Sequence, residues 1–330
     1  MNQFDQLKKI IESNNNFSIT AHVNPDADAI CSELAIHLVL KKLGKKVRIV
    51  NHSYTPYNLE FLDEEKVIER YDEKIHENIF NDADVMMLLD LNQANRVVRM
   101  ENGLRSFQKT KVCIDHHQDP EKFYDLFVGG TEYSSTGEVL YDFIKSTNII
   151  ELDYPIAYQI YTAIMTDTGS FRFERTSPKI HKIIAELLEF GLNPTEIYNK
   201  VYDQFHCSRI KLLGEALNSI ELDSTKKIAI MTLPNEVQQK HNAVEADVDG
   251  FVNYCLSIHS VQIGILLYEL KDGVKISFRS KGNIAVNKLA SEFGGGGHSN
   301  ASGARFFNIK IEDIINEVIT TAKKYINEKE

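Results

Sequence analysis

Between Asp84 and Asp90 the chain runs Val-Met-Met-Leu-Leu, five apolar residues without a polar break. A half-exposed strand alternates apolar and polar side chains. An unbroken run is expected where helices cover both faces of a sheet. This one stops abruptly on a carboxylate, Asp90. Residues 111–114 read as another buried strand, and Cys113-Ile114 gives way at once to Asp115-His116-His117. A strand over 17–22 ends the same way at His22 and runs into Val-Asn-Pro-Asp26-Ala-Asp28. In open α/β sheets, ligands sit at the carboxyl ends of the strands.

Helical patterns separate these strands. One covers 31–44, where Gly44 suits a C-cap; others cover 135–146 and 154–165, the last leading into Thr166-Asp167-Thr168-Gly169-Ser170. A further strand covers 46–51, and a charged helical stretch precedes Asp84. Strands alternating with helices predict an α/β fold with a doubly wound parallel sheet. From 178 to 221 the pattern is helical, broken at Gly191-Leu-Asn-Pro194, with 208–222 as a connecting helix. Strands follow over 227–233, 261–270 and 274–279, the last two joined by a tight Lys271-Asp272-Gly273 turn. A helix over 283–293, four glycines closed by His298, a final strand and a C-terminal helix complete the chain. The expected layout is an N-terminal domain over 1–190, a helical linker over 191–222 and a smaller α+β domain over 223–330. An active-site cleft is expected between the two domains.

His22, Asp26, Asp28, Asp90, Asp115, His116, His117 and Asp167 all fall at or just past predicted strand or helix ends. Taken singly, each has a plainer role: residues 24–28 as a capping turn, Asp90 as a helix cap, Asp167 as the organiser of a turn. Taken together, those roles require four independent coincidences at one sheet edge. So many carboxylates and imidazoles converging would repel one another unless cations neutralised them. Mixed Asp/His ligation without thiolates favours Mn²⁺ or a similar ion over structural zinc. Two such ions bridged by one carboxylate split phosphate esters, and Asp90, on the central strand, is the expected bridge.

With 330 residues, 43% of them hydrophobic and 25% charged, the chain has ample material for a core. No apolar run is long enough to span a bilayer. The first 16 residues read as an amphipathic helix rather than a signal peptide. Cys31, Cys113, Cys207 and Cys255 are too scattered for a metal site or a disulfide framework. A cytoplasmic protein with reduced, mostly buried thiols is expected. The net charge of −10 argues against a non-specific grip on long nucleic acid.

The motifs His22-Val-Asn-Pro-Asp26-Ala-Asp28, Leu-Leu-Asp90, Asp115-His116-His117 and Thr166-Asp167-Thr-Gly-Ser resemble the four signatures of the DHH phosphoesterase family. Ser277-Phe-Arg279-Ser280 and Phe293-Gly-Gly-Gly-Gly-His298 resemble the DHH-associated C-terminal domain. Within that superfamily the two-domain layout is most similar to the bacterial nanoRNase/pAp phosphatase group. Ala27 and Cys31 depart from it, standing where that group usually has glycine. The resemblance implies that His22 and Asp26 hold one Mn²⁺, that Asp28, His116 and Asp167 hold a second, and that Asp90 bridges. It implies Asp115 as an orienting residue behind the metal shell and His117 facing the scissile phosphate. The nucleophile would be a metal-bridging hydroxide.

Between Lys271 and Arg305 six Lys/Arg outnumber two Asp/Glu. A glycine run is by default a linker, but consecutive glycines also let backbone N–H groups approach a phosphate closely. A clamp of Arg279, Ser280, Gly296 and His298 on a terminal phosphate is therefore expected. The leading function is hydrolysis of 3'-phosphoadenosine 5'-phosphate (pAp) and very short oligoribonucleotides. A cyclic-di-AMP or linear dinucleotide phosphodiesterase, and a catalytically silent nucleotide-binding protein, are the alternatives. The expected partner is a small nucleotide or short oligoribonucleotide, with neither membrane nor long duplex nucleic acid; a homodimer is an admissible assembly.

Overall fold

The apolar run lies at the centre of a six-stranded sheet. The structure, a computed structural model, describes residues 2–76 and 82–326. Strands β1 (Asn16–Ala21), β2 (Lys46–Asn51), β3 (Ile68–Arg70), β4 (Val85–Leu89), β5 (Thr110–Asp115) and β6 (Leu126–Gly129) are arranged in the order β3-β2-β1-β4-β5-β6. Every neighbouring pair is parallel, so all six carboxyl ends share one edge. The chain works outward from β1 to β3, then restarts at β4 beside β1. That reversal is a topological switch point, where a crevice forms at the strand ends.

The helices of this part are α1 (Gln3–Ser13), α2 (Ala27–Lys42), α3 (Glu101–Ser106), α4 (Thr136–Thr147), α5 (Tyr154–Asp167), α6 (Pro178–Leu188) and α7 (Pro194–Tyr202). Successive residues of β4 alternate between two apolar layers. Met87 and Leu89 join Leu34, Val39, Phe143 and Ile160 from the helices. Met86 and Leu88 join Val97, Met100, Leu104 and Phe107 on the other face. Both faces are covered, which is why no polar residue interrupts the strand.

The chain divides into two compact units, Met1–Gln204 and Phe205–Glu330. The second begins with α8 (Cys207–Asn218) and continues through β7 (Glu221–Leu222), β8 (Ile228–Leu233), α9 (Asn235–His241), β9 (Ile263–Leu270), β10 (Gly273–Ser280), α10 (Val286–Ser291), β11 (Gly296–His298), β12 (Ala301–Phe307) and α11 (Ile311–Lys323). Its sheet order is β11-β12-β10-β9-β8-β7. The β8–β9 pair is parallel and the others antiparallel, so the sheet is mixed. Residues 191–222, expected as one linker, supply α7 to the first unit and α8 and β7 to the second.

Several elements depart from expectation. Helix α2 starts at Ala27, four residues early, because Asp26 caps it by accepting from Ala29 N at 3.1 Å. The charged stretch before Asp84 contains a 3₁₀ helix (Tyr57–Leu62) and strand β3; its residues 77–81 lie outside the described structure. The helix expected over 283–293 shrinks to the six residues of α10. The glycines after it form strand β11, paired with β12, so the run is no free linker. A Cβ on Gly297 would lie 2.6 Å from Ala301 O, and the residue's φ is +139°, so glycine is needed for that pairing.

Among the described residues no helix is long and apolar enough to cross a membrane. All four cysteines are free; Cys31, Cys113 and Cys255 are buried and Cys207 is exposed.

Candidate active site

Three of the strand ends along the shared edge deliver groups to the centre. His22 follows β1, Asp90 follows β4, Asp115 closes β5 and His116 and His117 come next. Asp90 leaves the strand with φ +58°, a left-handed conformation uncommon outside glycine and typical of strained functional positions. Its two oxygens face opposite ways. Oδ2 lies 3.3 Å from His22 Nε2, and Oδ1 lies 3.4 Å from His116 Nε2. Asp26 joins the His22 side at 3.9 Å; Asp167 and Asp28 join the His116 side at 3.3 and 3.7 Å.

Helices bring the other carboxylates. Asp28 is held in the first turn of α2, and both its oxygens cap α4: Thr136 N and Gly137 N donate to it at 2.7 and 3.0 Å. That aims the positive end of α4 at a buried carboxylate. Asp167 is the last residue of α5. Ser135 caps α4, and Thr136 Oγ1 donates to Asp90 Oδ1 at 3.0 Å.

Asp115 is fully buried and grips its neighbour twice. Its carboxylate accepts from His117 N at 3.0 Å and from His117 Nδ1 at 2.7 Å. With the proton on Nδ1, the lone pair of His117 is on Nε2. Asn92 fastens the same loop, donating to the carbonyls of His117 and Gln118 at 3.1 Å each.

The protonation pattern records how crowded these charges are. Burial, then the neighbouring Asp90 and Asp167, push the Asp28 carboxyl well above the usual carboxylate range. Burial pushes Asp167 up to about 6, with His116 opposing. Burial alone would raise Asp90 too, but hydrogen bonds from His116 and His22 hold it well below that range. Burial opposes a charge on His116, whose Nδ1 lies 3.2 Å from Arg175 Nη1. Asp167, Asp90 and Asp28 outweigh burial and push its pKa up. A crowd of buried carboxylates like this is relieved by bound cations.

The donor set fits such cations. His22, Asp26 and Asp90 bring ligand atoms within 4.8 Å of one another, as do Asp28, His116 and Asp167, and Asp90, Asp115 and His117. No thiolate competes, because burial, then Asp28 and Asp26, push the nearby Cys31 thiol well up. The centre can therefore hold divalent metal through carboxylates and imidazoles.

The eight residues expected at this centre are all brought together there. Thr136 and Arg175 were not anticipated. The first sits in a visible Ser134-Ser135-Thr136-Gly137 helix start; the second reaches His116 only through tertiary folding. The four residues expected to grip substrate lie in the second unit. Arg279 of β10 and His298 of β11 both stand opposite Ala301 of β12, so the two share one sheet face across three strands. Ser280 Oγ donates to Ile284 O at 2.6 Å and accepts from Asn300 Nδ2 at 3.0 Å, so its hydroxyl ties down the loop after β10. Gly296 has open space where a Cβ would project.

An open parallel sheet whose carboxyl edge gathers five aspartates and three histidines around a shared carboxylate is the build of a phosphoester hydrolase. The chain belongs to the DHH family: residues 16–167 match the DHH family N-terminal domain and residues 225–328 the DHHA1 domain. It is 29% identical, over 93% of its own length and 89% of the relative's, to the bifunctional oligoribonuclease and PAP phosphatase NrnA of Thermus thermophilus. For the protein of that name from Bacillus subtilis the identity is 25%, over 92% and 94%. An exopolyphosphatase-related protein from Bacteroides fragilis has the same fold (TM-score 0.91, 34% identity, 98% of this chain and 96% of that one). RecJ of Thermus thermophilus, solved with Mn²⁺, shares the fold at 12% identity (TM-score 0.58, 98% of this chain, 55% of that one).

Proposed function

We propose that the protein hydrolyses pAp and very short oligoribonucleotides with two divalent metal ions, Mn²⁺ the preferred one. The observation that carries this reading is Asp90, with one oxygen on His22 and the other on His116 and His117, in a chain whose relatives bear the name bifunctional oligoribonuclease and PAP phosphatase. His22 and Asp26 would hold the first ion and Asp28, His116 and Asp167 the second, with Asp90 shared between them. Bound there, the ions supply Lewis acidity and an acidified water.

The chain's own groups do the rest. Thr136 Oγ1 and the N-terminus of α4 fix Asp90 and Asp28, so the ligand geometry exists before metal arrives. Asp115 locks the His117 ring and its tautomer. His117 then presents Nε2 to the phosphate, where it stabilises developing charge or handles a proton. Arg279 and His298, on one sheet face of the second unit, hold the far phosphate of the nucleotide.

A panel of pAp, a linear dinucleotide, cyclic-di-AMP and a 20-mer RNA, each with Mn²⁺ and with EDTA, tests the reading. Turnover of pAp and the dinucleotide, loss in EDTA, and no measurable activity in Asp90→Ala are expected. Full activity in protein shown metal-free by elemental analysis would refute the metal mechanism. Equal rates on the dinucleotide and the 20-mer would refute the length limit.

A further inference from the structure

The edge that carries the metal-type centre continues past it. The carboxyl ends of β2 and β3 lie beside that of β1, and they carry His52, Tyr54, Arg70 and Tyr71, with Asp72 and Glu73 following Tyr71. Residue 96 adjoins the centre directly, its carbonyl accepting from Val23 N at 2.8 Å. Arg99 lies 3.5 Å from His52 Nδ1, just past β2, and donates to Tyr71 O, just past β3, at 3.3 Å. Arg70, the last residue of β3, stacks 4.2 Å over the ring of Tyr54. Ser53, next to Tyr54, ties this loop back to the motif loop by accepting from Asn24 N at 3.0 Å.

Two observations separate this strip from ordinary surface charge. Two other arginines of the same unit pair with carboxylates, Arg48 with Glu69 at 2.8 Å and Arg105 with Glu121 at 2.6 Å, whereas Arg175 sits against His116 and Arg172 over the Phe173 ring. Among the described residues, Arg70, Arg96 and Arg99 have no carboxylate within ion-pair distance, in a protein of net charge −10. Burial, then Arg99 and Arg70, lower the pKa of His52, as expected where positive charge is uncompensated. Second, Tyr54 is 70% exposed, with one ring face on Arg70. Val98, between two of the arginines, is β-branched yet has φ +49° and ψ −106°, backbone strain of the kind that collects at functional positions.

We propose that this strip is a track for the part of an oligoribonucleotide that extends beyond the scissile phosphate, with phosphates on Arg96, Arg99 and Arg70 and a base stacked on Tyr54. The inference rests on the phosphoesterase reading above and adds a subsite to it. Unpaired arginines bind phosphate as a rigid fork, and an exposed aromatic face stacks any base. The track is short. Neighbouring strands are about 4.8 Å apart, so β1 to β3 spans about 10 Å, the reach of only a few phosphates. A single nucleotide such as pAp fills the centre without needing the track.

The test uses the full chain in four forms: wild type, Arg70→Ala/Arg99→Ala, the Lys-for-Arg version of that pair, and Tyr54→Ala. Binding of a fluorescein-labelled hexaribonucleotide is followed by anisotropy in EDTA over a salt series, and pAp hydrolysis is measured separately with Mn²⁺. The double alanine variant is expected to bind the hexamer at least tenfold more weakly. The slope of log affinity against log salt should fall by about 1.4, at about 0.7 for each single-strand phosphate contact. The lysine pair should restore most of that slope, Tyr54→Ala should weaken binding without changing it, and pAp turnover should stay within about threefold. An unchanged slope in the double alanine variant overturns the track, as do equal losses on pAp and hexamer. If wild type hydrolyses neither substrate but the slope still falls, the track stands and the catalytic reading is what fails.

Discussion

Glu33 is fully buried in α2. One carboxyl oxygen accepts from Asn51 Nδ2 at 2.8 Å, and the other has no partner. Burial pushes its pKa up to about 8, so the folded protein holds a proton that the unfolded chain releases near 4.5. Between those values the native state binds more protons than the unfolded one, and stability must fall as pH rises. Stability from this proton is complete below about 4.5 and gone above about 8. At about 1.36 kcal/mol per pH unit the loss amounts to a few kcal/mol. Glu33→Gln should keep the Asn51 contact and flatten this part of the profile, so that the variant is more stable than wild type at pH 8 but not at pH 4.5. Urea melts across that range check it. Asn51 also accepts from Ala21 N at 2.9 Å, one residue before His22, which explains a polar pair in this layer. Nothing in the sequence singles out Glu33. Its position within an apolar helical pattern reads as a surface charge, and only the packing of α2 against the sheet makes it a buried acid. Arg175 was hidden for the same reason. The eight aspartates and histidines were legible because they all fall at or just past the ends of predicted strands and helices.

Helix α4 shows what a single element contributes. Its first turn caps Asp28 through two backbone N–H groups and Asp90 through Thr136. Gly137 permits this: an added Cβ would lie 2.4 Å from the Ala163 side chain of α5 and 3.5 Å from Asp28 Oδ1. Gly137→Ala should cost about 1–3 kcal/mol as an overpacked contact. It should also weaken Mn²⁺ binding, measured by calorimetry, because the helix must shift away from Asp28. Unchanged melts and unchanged metal affinity would show that α4 and α5 can part without disturbing the centre. Long elements were readable at this scale, and short ones were not. Strands β3 and β6, of three and four residues, carry too few side chains for a period to emerge. The glycine run was read by composition, whereas its structure is fixed by its partner β12, a pairing that no local pattern encodes.

At the scale of the molecule, the proposed function divides chemistry and grip between the two units, and this division can be tested. The minimal diester bis-p-nitrophenyl phosphate offers no remote phosphate, so Arg279→Ala and His298→Ala should leave its hydrolysis within about threefold. On pAp each should lower kcat/KM by at least tenfold, since a charge-assisted contact is worth roughly 1.5–3 kcal/mol and remote binding energy positions the reacting group. Equal losses on both substrates would assign the two residues to the fold instead. The net charge was the least informative sequence quantity at this scale, because an average of −10 conceals a basic strip beside the acidic centre. A practical consequence follows from the cysteines. Three are sealed in the interior, and the fourth, Cys207, opens α8 three residues past the boundary at 204/205. Wild-type protein should therefore take one maleimide dye, without a cysteine-free background, at the joint where the two units meet in sequence. A fluorophore there gives a single-molecule reporter of whether nucleotide changes the surroundings of that joint.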